Sequence, residues 1–384
     1  MICFMKPAFD QRIALALEER RQQGLNRQLT GLCGGNGSRF SAGEHAYLNF
    51  SSNDYLGLAT DAELANAWKK GIDLLGNGSA ASPLVTGFSS AHQALESRLC
   101  QWLGYSRAIL FSSGFSANQA MLFALLQKGD LLLQDKLNHA SLIEAGMLSP
   151  ATMKRFKHND VTHLKALIEP NALVVTEGVF SMDGDSAPLQ AIEQCLPNSA
   201  WLAVDDAHGI GVLGEQGRGS CNQAGVKPQI LVVTFGKAFG LSGAAILCDE
   251  STGDYLTQFA RHHVYSTAMP PSLAYALTHA IDLIDTQQWR RDKLQELQAC
   301  YHDQCASLEG YVETDSPIKP VLMGSSARAL SVANALREQG FWLTAIRSPT
   351  VPVDGARLRI TLTANHTVEH VTQLASALKR VLED

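Results

Sequence analysis

Between about residues 51 and 280, short apolar runs alternate with stretches whose hydrophobic positions recur at helical spacing. Arg107 to Phe111, Ala172 to Thr176, Trp201 to Val204 and Ile230 to Phe235 are strand-length and almost free of polar alternation, the pattern of strands buried on both faces. Ala91 to Tyr105 carries Leu95, Leu99, Trp102 and Leu103 at helical spacing, and another helix is predicted to begin near Phe115 to Asn118. Asp160 is placed to cap a helix bearing Leu164, Leu167 and Ile168. The alternation predicts a mostly parallel α/β sheet flanked by helices.

The ends of the chain read differently. Ala8 to about Leu29 predicts a charged helix bearing Ile13, Leu15 and Leu17; the glycine-rich stretch Gly31 to Gly37 then breaks the chain, and Ala46 to Phe50 reads as a short strand. Beyond about residue 283, a polar helix (Gln287 to Leu308) leads into a smaller α+β lobe of strand, helix, two strands and a final helix, Thr367 to Leu382. The expected division is an N-terminal helix and arm (1–50), a large domain (51–282) and a small C-terminal domain (283–384).

Composition narrows the function classes. With 46% hydrophobic and 18% charged residues, the 384-residue chain can bury a large core in more than one lobe. Its formal charge of −6, without a lysine/arginine block, argues against nucleic acid as a partner. The eight cysteines are scattered without a C-x-x-C pair, so buried free thiols are expected, with neither a metal site nor a disulfide framework. The apolar Met1 to Met5 ends at Lys6-Pro7, too short for a signal segment. No run approaches the roughly 18 apolar residues of a membrane span, and a soluble, cytoplasmic protein is expected.

The chemistry collects where three apolar runs stop. Ala172 to Thr176 runs into Glu177, then Ser181; Trp201 to Val204 runs into Asp205-Asp206-Ala207-His208; Leu231 to Val233 runs into Thr234-Phe235-Gly236-Lys237. Open α/β sheets bind ligands at such carboxyl ends. Lys237 follows a fully apolar run, and burial would lower its pKa and free it for imine chemistry. Gly236 and Gly240 beside it are read as allowing close backbone approach to a ligand. A lysine of this kind with Asp205 upstream resembles the way pyridoxal phosphate (PLP) is held. The lysine carries it as a Schiff base, and the carboxylate keeps the pyridine nitrogen protonated. His208, three residues after Asp205, is placed to reach the ring hydroxyl. Asp206 competes for the aspartate role, but strand alternation turns the two to opposite faces. Ser112 to Ser116, between strand and helix, offers backbone N–H groups to a phosphate, Thr234 adds a hydroxyl, and His139 is placed to lie on the ring. There is no G-x-S-x-G elbow, no G-x-x-x-x-G-K-[ST] loop and no strand-linked G-x-G-x-x-G.

Five ordered motifs carry a resemblance: Asn53-Asp54-Tyr55-Leu56-Gly57-Leu58, Asn138-His139-Ala140-Ser141, Thr176 to Asp185, Asp205-Asp206-Ala207-His208-Gly209 and Thr234-Phe235-Gly236-Lys237. From about residue 8 onwards the chain resembles the α-oxoamine synthases of PLP fold type I. That resemblance implies a PLP-binding large domain and a catalyst of decarboxylative condensation between an amino acid and an acyl thioester. Phe50 to Gly57, Tyr265 to Pro271 and Ile346 to Pro352 are most similar to the member serving biotin biosynthesis, an acyltransferase that joins L-alanine to pimeloyl-CoA or pimeloyl-acyl carrier protein. A sister synthase using glycine and a short acyl-CoA is the alternative. Gly76 to Leu84 is less glycine-rich than the family's usual loop, and Ser348 stands where proline is common.

The resemblance also implies roles. Lys237 carries the cofactor, Asp205 pairs with the pyridine nitrogen, His208 bonds the ring oxygen and His139 stacks on the ring. Ser181 and Glu177 shape the site, while Gly114, Phe115 and Thr234 take the phosphate. Thr267 reaches the phosphate of the other subunit, which implies a homodimer with shared active sites. Arg359 holds the amino-acid carboxylate with Asn53 nearby, and Arg27 and Arg347 are candidates for the far carboxylate of the acyl chain. A merely regulatory PLP-binding module would have no use for Arg359.

Overall fold

The computed structural model describes residues 7–383. Its strands in chain order are β1 (Arg39–Ala42), β2 (His45–Asn49), β3 (Arg107–Phe111), β4 (Leu131–Asp135), β5 (Thr152–Phe156), β6 (Leu173–Glu177) and β7 (Trp201–Asp205). There follow β8 (Ile230–Thr234), β9 (Ala244–Cys248), β10 (Ile318–Gly324), β11 (Phe341–Trp342), β12 (Thr344–Ile346) and β13 (Ala356–Thr361).

The central sheet has seven strands in the order β3-β9-β8-β7-β6-β4-β5. Only β9 runs against its neighbours, so the sheet is mostly parallel, as the apolar runs predict. Alternate residues of one strand enter opposite layers of core. Val174, Val204, Leu231 and Val233 pack on one face, and Val175, Ala203 and Val232 pack on the other with Ala117, Met121 and Leu122 of helix Gly114–Leu125. Each buried aliphatic side chain of this kind is worth about 1.5–3 kcal/mol. The seven described strands therefore form a rigid floor, and β6, β7 and β8 end at one edge of it. Asp160 caps its helix as expected, accepting from His163 N at 2.8 Å.

A second sheet, β10-β13-β12, is antiparallel, and a third, β1-β2-β11, joins the N-terminal arm to the C-terminal region. The C-terminal region thus carries one strand more than the pattern predicts, because the two-residue β11 exists only through its pairing with β2. We propose the same three-part division, noting that helix Pro271–Thr286 runs through its second boundary. Two expectations are corrected here. The first helix is Pro7–Gln22, not 8–29: Gly24 takes φ 65°, and Ile13, Leu15 and Leu17 are all exposed, so no apolar face extends the helix. Of the cysteines, Cys221, Cys248 and Cys305 are buried free thiols, but Cys33 is exposed; Cys3 lies outside the described residues. Among the described residues no cluster fit for a metal occurs, and no helix is long and apolar enough to cross a membrane.

His366 ties arm to C-terminal region and yields a prediction. Its ring stacks on Phe50 at 4.3 Å, Nε2 donates to Asn49 O at 2.9 Å, and Nδ1 accepts from Thr363 N at 3.2 Å. One nitrogen must donate and the other accept, so the ring is neutral. Burial, only partly opposed by the bond to Asn49, lowers its pKa from 6.5 to about 4. The unfolded chain takes up this proton below about pH 6.5, whereas the folded chain resists it until about pH 4. Stability from this site is therefore complete above 6.5 and lost as the pH falls through that window, by roughly 3 kcal/mol in all. Urea unfolding of wild type and His366→Asn at pH 7.5 and pH 5 should show the variant losing less between the two; equal losses would remove His366 as the cause.

Candidate active site

Where β6, β7 and β8 end, a cleft of about 310 Å³ opens, lined among others by Lys237, Asp205, His208, His139, Glu177 and Asn53. This volume is at the lower end of the usual range for small-molecule sites. Asp205 closes β7, directly opposite Glu177 of β6 in the strand register. It is 6% exposed; Oδ2 accepts from Asn118 Nδ2 at 2.7 Å and Oδ1 from Ala207 N at 3.0 Å. Asn118 is itself steadied by Ser141 Oγ at 2.9 Å. Asp206 is turned away: its carboxylate accepts from Ser220 Oγ at 2.6 Å and Ser220 N at 2.8 Å. Burial pushes Asp206 up to about 7 despite those bonds.

Lys237 follows β8 in the turn that leads to β9, and Nζ lies 3.4 Å from Thr234 Oγ1. Burial, with the positive charge of Arg359 adding to it, lowers its pKa although Asp205 and Glu177 pull the other way. The neutral amine, which is the nucleophile, is thereby favoured. Of the glycines beside it, Gly240 has a role within the fold. A Cβ on Gly240, at φ 66°, would stand 2.2 Å from Ala59 N, so its close approach is to backbone that anchors the lysine turn. Gly236 lines the cleft, and a Cβ there would meet only Leu241 O at 3.9 Å. Glu177 is 3% exposed and its Oε1 has no hydrogen-bond partner; burial and the neighbouring Asp205 hold its pKa well above the usual carboxylate range.

Both histidines are fixed through Nδ1. His208 Nδ1 is 2.6 Å from Tyr55 Oη. Burial first, then the neighbouring Lys237, Arg359 and His139, hold the His208 pKa well below the usual histidine range, and burial pushes Tyr55 up to about 12. Tyr55 Oη also donates to Asn53 Oδ1 at 3.4 Å, so the phenol bridges His208 and Asn53. His139 Nδ1 is 2.8 Å from Ser141 Oγ and accepts from Ser141 N at 3.3 Å, which leaves the proton on Nε2. Phe115 meets its ring edge to face at 6.3 Å.

At the turn into helix Gly114–Leu125, Ser116 N donates to Ser113 Oγ at 3.1 Å and Ser113 N to Ser116 Oγ at 3.2 Å. The N–H groups of Gly114 and Phe115, with no partner among the described residues, are the ones left for an anion. A Cβ on Gly114 would stand 2.6 Å from Thr234 Cγ2, so only glycine lets this turn close on Thr234.

Arg359 comes from β13, 7% exposed. Nε donates to Ser181 O at 2.6 Å, Nη1 to Thr361 Oγ1 at 3.1 Å and Nη2 to Asn53 Oδ1 at 3.0 Å. All three acceptors are neutral, and among the described residues no carboxylate pairs with it. A buried cation without a counter-ion is costly, and an anionic ligand would offset that cost.

The structure does not gather every predicted residue. Ser181 contributes a carbonyl to Arg359 and does not line the cleft. Thr267 is exposed outside it. Arg27 is exposed, and Arg347 donates to Gly24 O at 2.7 Å; neither reaches the cleft. Asn118 and Tyr55 were not singled out in the sequence. Asn118 was findable, because it lies four residues beyond Gly114, one helical turn inside the anion-binding end.

These residues fit PLP. A pKa-lowered lysine, an aspartate fixed by neutral donors, an N–H-rich turn and an unpartnered buried carboxyl converge on one cleft. The class I and II aminotransferase model matches residues 45–378. An 8-amino-7-oxononanoate synthase of Vibrio atlanticus is 64% identical over 381 residues, which cover 98% of this chain and 94% of that one. Among solved structures, an 8-amino-7-oxononanoate synthase from Francisella tularensis has TM-score 0.79 at 32% identity, covering 88% of this chain and 98% of its own. Serine palmitoyltransferase of Sphingomonas wittichii has TM-score 0.88 at 28% identity, covering 98% of each chain. The architecture is that of PLP fold type I, and the chain belongs to the class I and II aminotransferase family and, within it, to the 8-amino-7-oxononanoate synthases.

Proposed function

We propose that this acyltransferase of biotin biosynthesis condenses L-alanine with a pimeloyl thioester, carried on CoA or on acyl carrier protein. A carbon–carbon bond forms between the alanine α-carbon and the acyl carbon, the C–S bond breaks, and the alanine carboxylate leaves as carbon dioxide. With a proton to the thiolate and one to the α-carbon, the products are 8-amino-7-oxononanoate, carbon dioxide and the free thiol carrier. The observation that carries this reading is the buried, carboxylate-free Arg359 near the cleft of Lys237 and Asp205.

When bound, PLP supplies an electron sink for charge that develops at the α-carbon. Lys237, Asp205, His208 and His139 would hold its ring, Gly114, Phe115 and Thr234 its phosphate, with Glu177 and Ser181 shaping the site. Arg359, steadied by Asn53, offers a guanidinium fork to the substrate carboxylate. Lys237 Nζ, whose pKa burial lowers, would take the α-proton and return one at the end. His208 would hydrogen-bond the ring oxygen. Thr267, exposed on this chain, is assigned to the phosphate of a second subunit. Arg347 and Arg27, outside the cleft, are assigned to the far carboxylate of the acyl chain.

Arg359→Ala should raise KM for L-alanine by roughly 10–150-fold, the loss of hydrogen bonds to a charged group, while KM for the thioester moves little. Side-by-side turnover with the alanine/pimeloyl pair and with glycine plus acetyl- or succinyl-CoA tests the substrate assignment. Preference for glycine and the short chain would replace it by the sister reaction.

A further inference from the structure

The turn after β6 is gripped from two sides. It closes on itself, with Phe180 N donating to Asp185 O and Gly184 N to Phe180 O, both at 2.9 Å, beneath the Val179–Ser186 bridge. From the central sheet, His158 Nε2 donates to Asp185 Oδ2 at 2.8 Å and Nδ1 to Asp135 Oδ1 at 3.0 Å. Asn159 repeats the span: its N–H donates to Asp135 Oδ2 at 2.9 Å and Nδ2 to Asp185 Oδ2 at 2.8 Å. To do so Asn159 takes φ 54°, an uncommon left-handed conformation that asparagine tolerates best among residues with a side chain. Both ring nitrogens of His158 face carboxylates, so the ring is an imidazolium. Burial alone would lower its pKa, but the bonds to Asp135 and Asp185 outweigh that and push it up to about 10.

From the other side come residues of the C-terminal region. Ser316 Oγ donates to Gly184 O at 2.7 Å, Arg357 pairs with Asp183, and Arg359 Nε donates to Ser181 O at 2.6 Å. The same turn that the central sheet pins at Asp185 therefore supplies the carbonyl that aims the Arg359 guanidinium. Arg359 has no carboxylate of its own to fix it, so its direction depends on Ser181 O, Thr361 and Asn53.

We infer that His158 and Asn159, by clamping Asp185 to Asp135, are positioning residues that set the Arg359 guanidinium for the substrate carboxylate. This rests on the reading of Arg359 as the carboxylate anchor. None of the clamp residues lines the cleft; the clamp acts through the turn.

The test uses PLP-loaded Asp185→Asn and His158→Gln, with Arg359→Lys as control. The clamp variants should raise KM for L-alanine, and its dissociation constant from the alanine-induced absorbance change, about tenfold, the effect of one lost well-placed hydrogen bond. kcat and KM for the pimeloyl thioester should stay within about threefold. Amide exchange across 178–186 of the cofactor-free chain should rise in both variants. Asp185→Asn is the milder change and guards against a folding defect in the histidine variant. If Arg359→Lys weakens alanine and the clamp variants do not, or if they lower kcat with alanine binding unchanged, the positioning role is overturned. An Arg359→Lys enzyme with normal alanine binding would instead overturn the anchor reading itself.

Discussion

Lys237→Ala is expected to lose turnover by at least 10²–10⁴-fold, the range for removing a positioned proton-transfer group, with further loss because the covalent attachment also goes. The argument begins with the strand. Ile230 to Thr234 is wholly buried, so the chain leaves β8 at a fixed point. The turn that follows is held by Gly240 against Leu58 and Ala59. Lys237 is therefore delivered to one place, where burial lowers its pKa and Asp205 and Glu177 only partly restore it. Its side chain lines an open cleft, so truncation leaves little cavity and the fold should survive. Steady-state turnover beside a thermal melt checks both halves. An alanine variant that melts normally and retains most of its turnover would remove Lys237 from the chemistry.

Asp205→Asn should retain PLP but lower turnover by roughly 10²–10³-fold, the cost of deleting one preorganised electrostatic group. The substitution is nearly isosteric and keeps an oxygen for Ala207 N, which now bonds Oδ1 at 3.0 Å. It sets one amide against another at Asn118, which now donates to Oδ2 at 2.7 Å, so a small local shift is expected. The lost item is the charge. Without it nothing in the cleft keeps a pyridine nitrogen protonated: Glu177 is buried with its pKa held high, and Asp206 is committed to Ser220. Removing the Asp205 charge also relieves one cause of the raised pKa of Glu177. Undiminished turnover in Asp205→Asn would sink the pyridine-nitrogen assignment.

Much of this site was legible because three strands buried on both faces must be apolar throughout, and the first ionisable residue marks where each stops. Glu177, Asp205 and Lys237 all stand at such stops. Side-chain alternation set Asp205 and Asp206 on opposite faces, the resemblance named Asp205, and the structure turns Asp206 onto Ser220. Asn118 and Tyr55 were less visible, since each works by supporting a neighbour distant in sequence: Asp205 and His208. Arg359 was named through resemblance alone; a strand arginine carries no local mark of lacking a counter-ion. The first helix was overread at its end, since it stops ahead of Gly24 with its φ of 65°; Ile13 and Leu17 share a face but Leu15 lies opposite. The β2–β11 pairing and the His158 clamp join residues far apart along the chain, and nothing periodic announces them.

The most direct test of the account is to load the purified chain with PLP, reduce it with borohydride and map the modified peptide. An absorbance band near the visible edge that disappears on reduction, with the pyridoxyl group on Lys237 and a spectral shift on adding L-alanine but not D-alanine, is the predicted result. Absence of the band after incubation with PLP, or modification at another lysine, would contradict the central claim that this cleft is built around a cofactor held on Lys237.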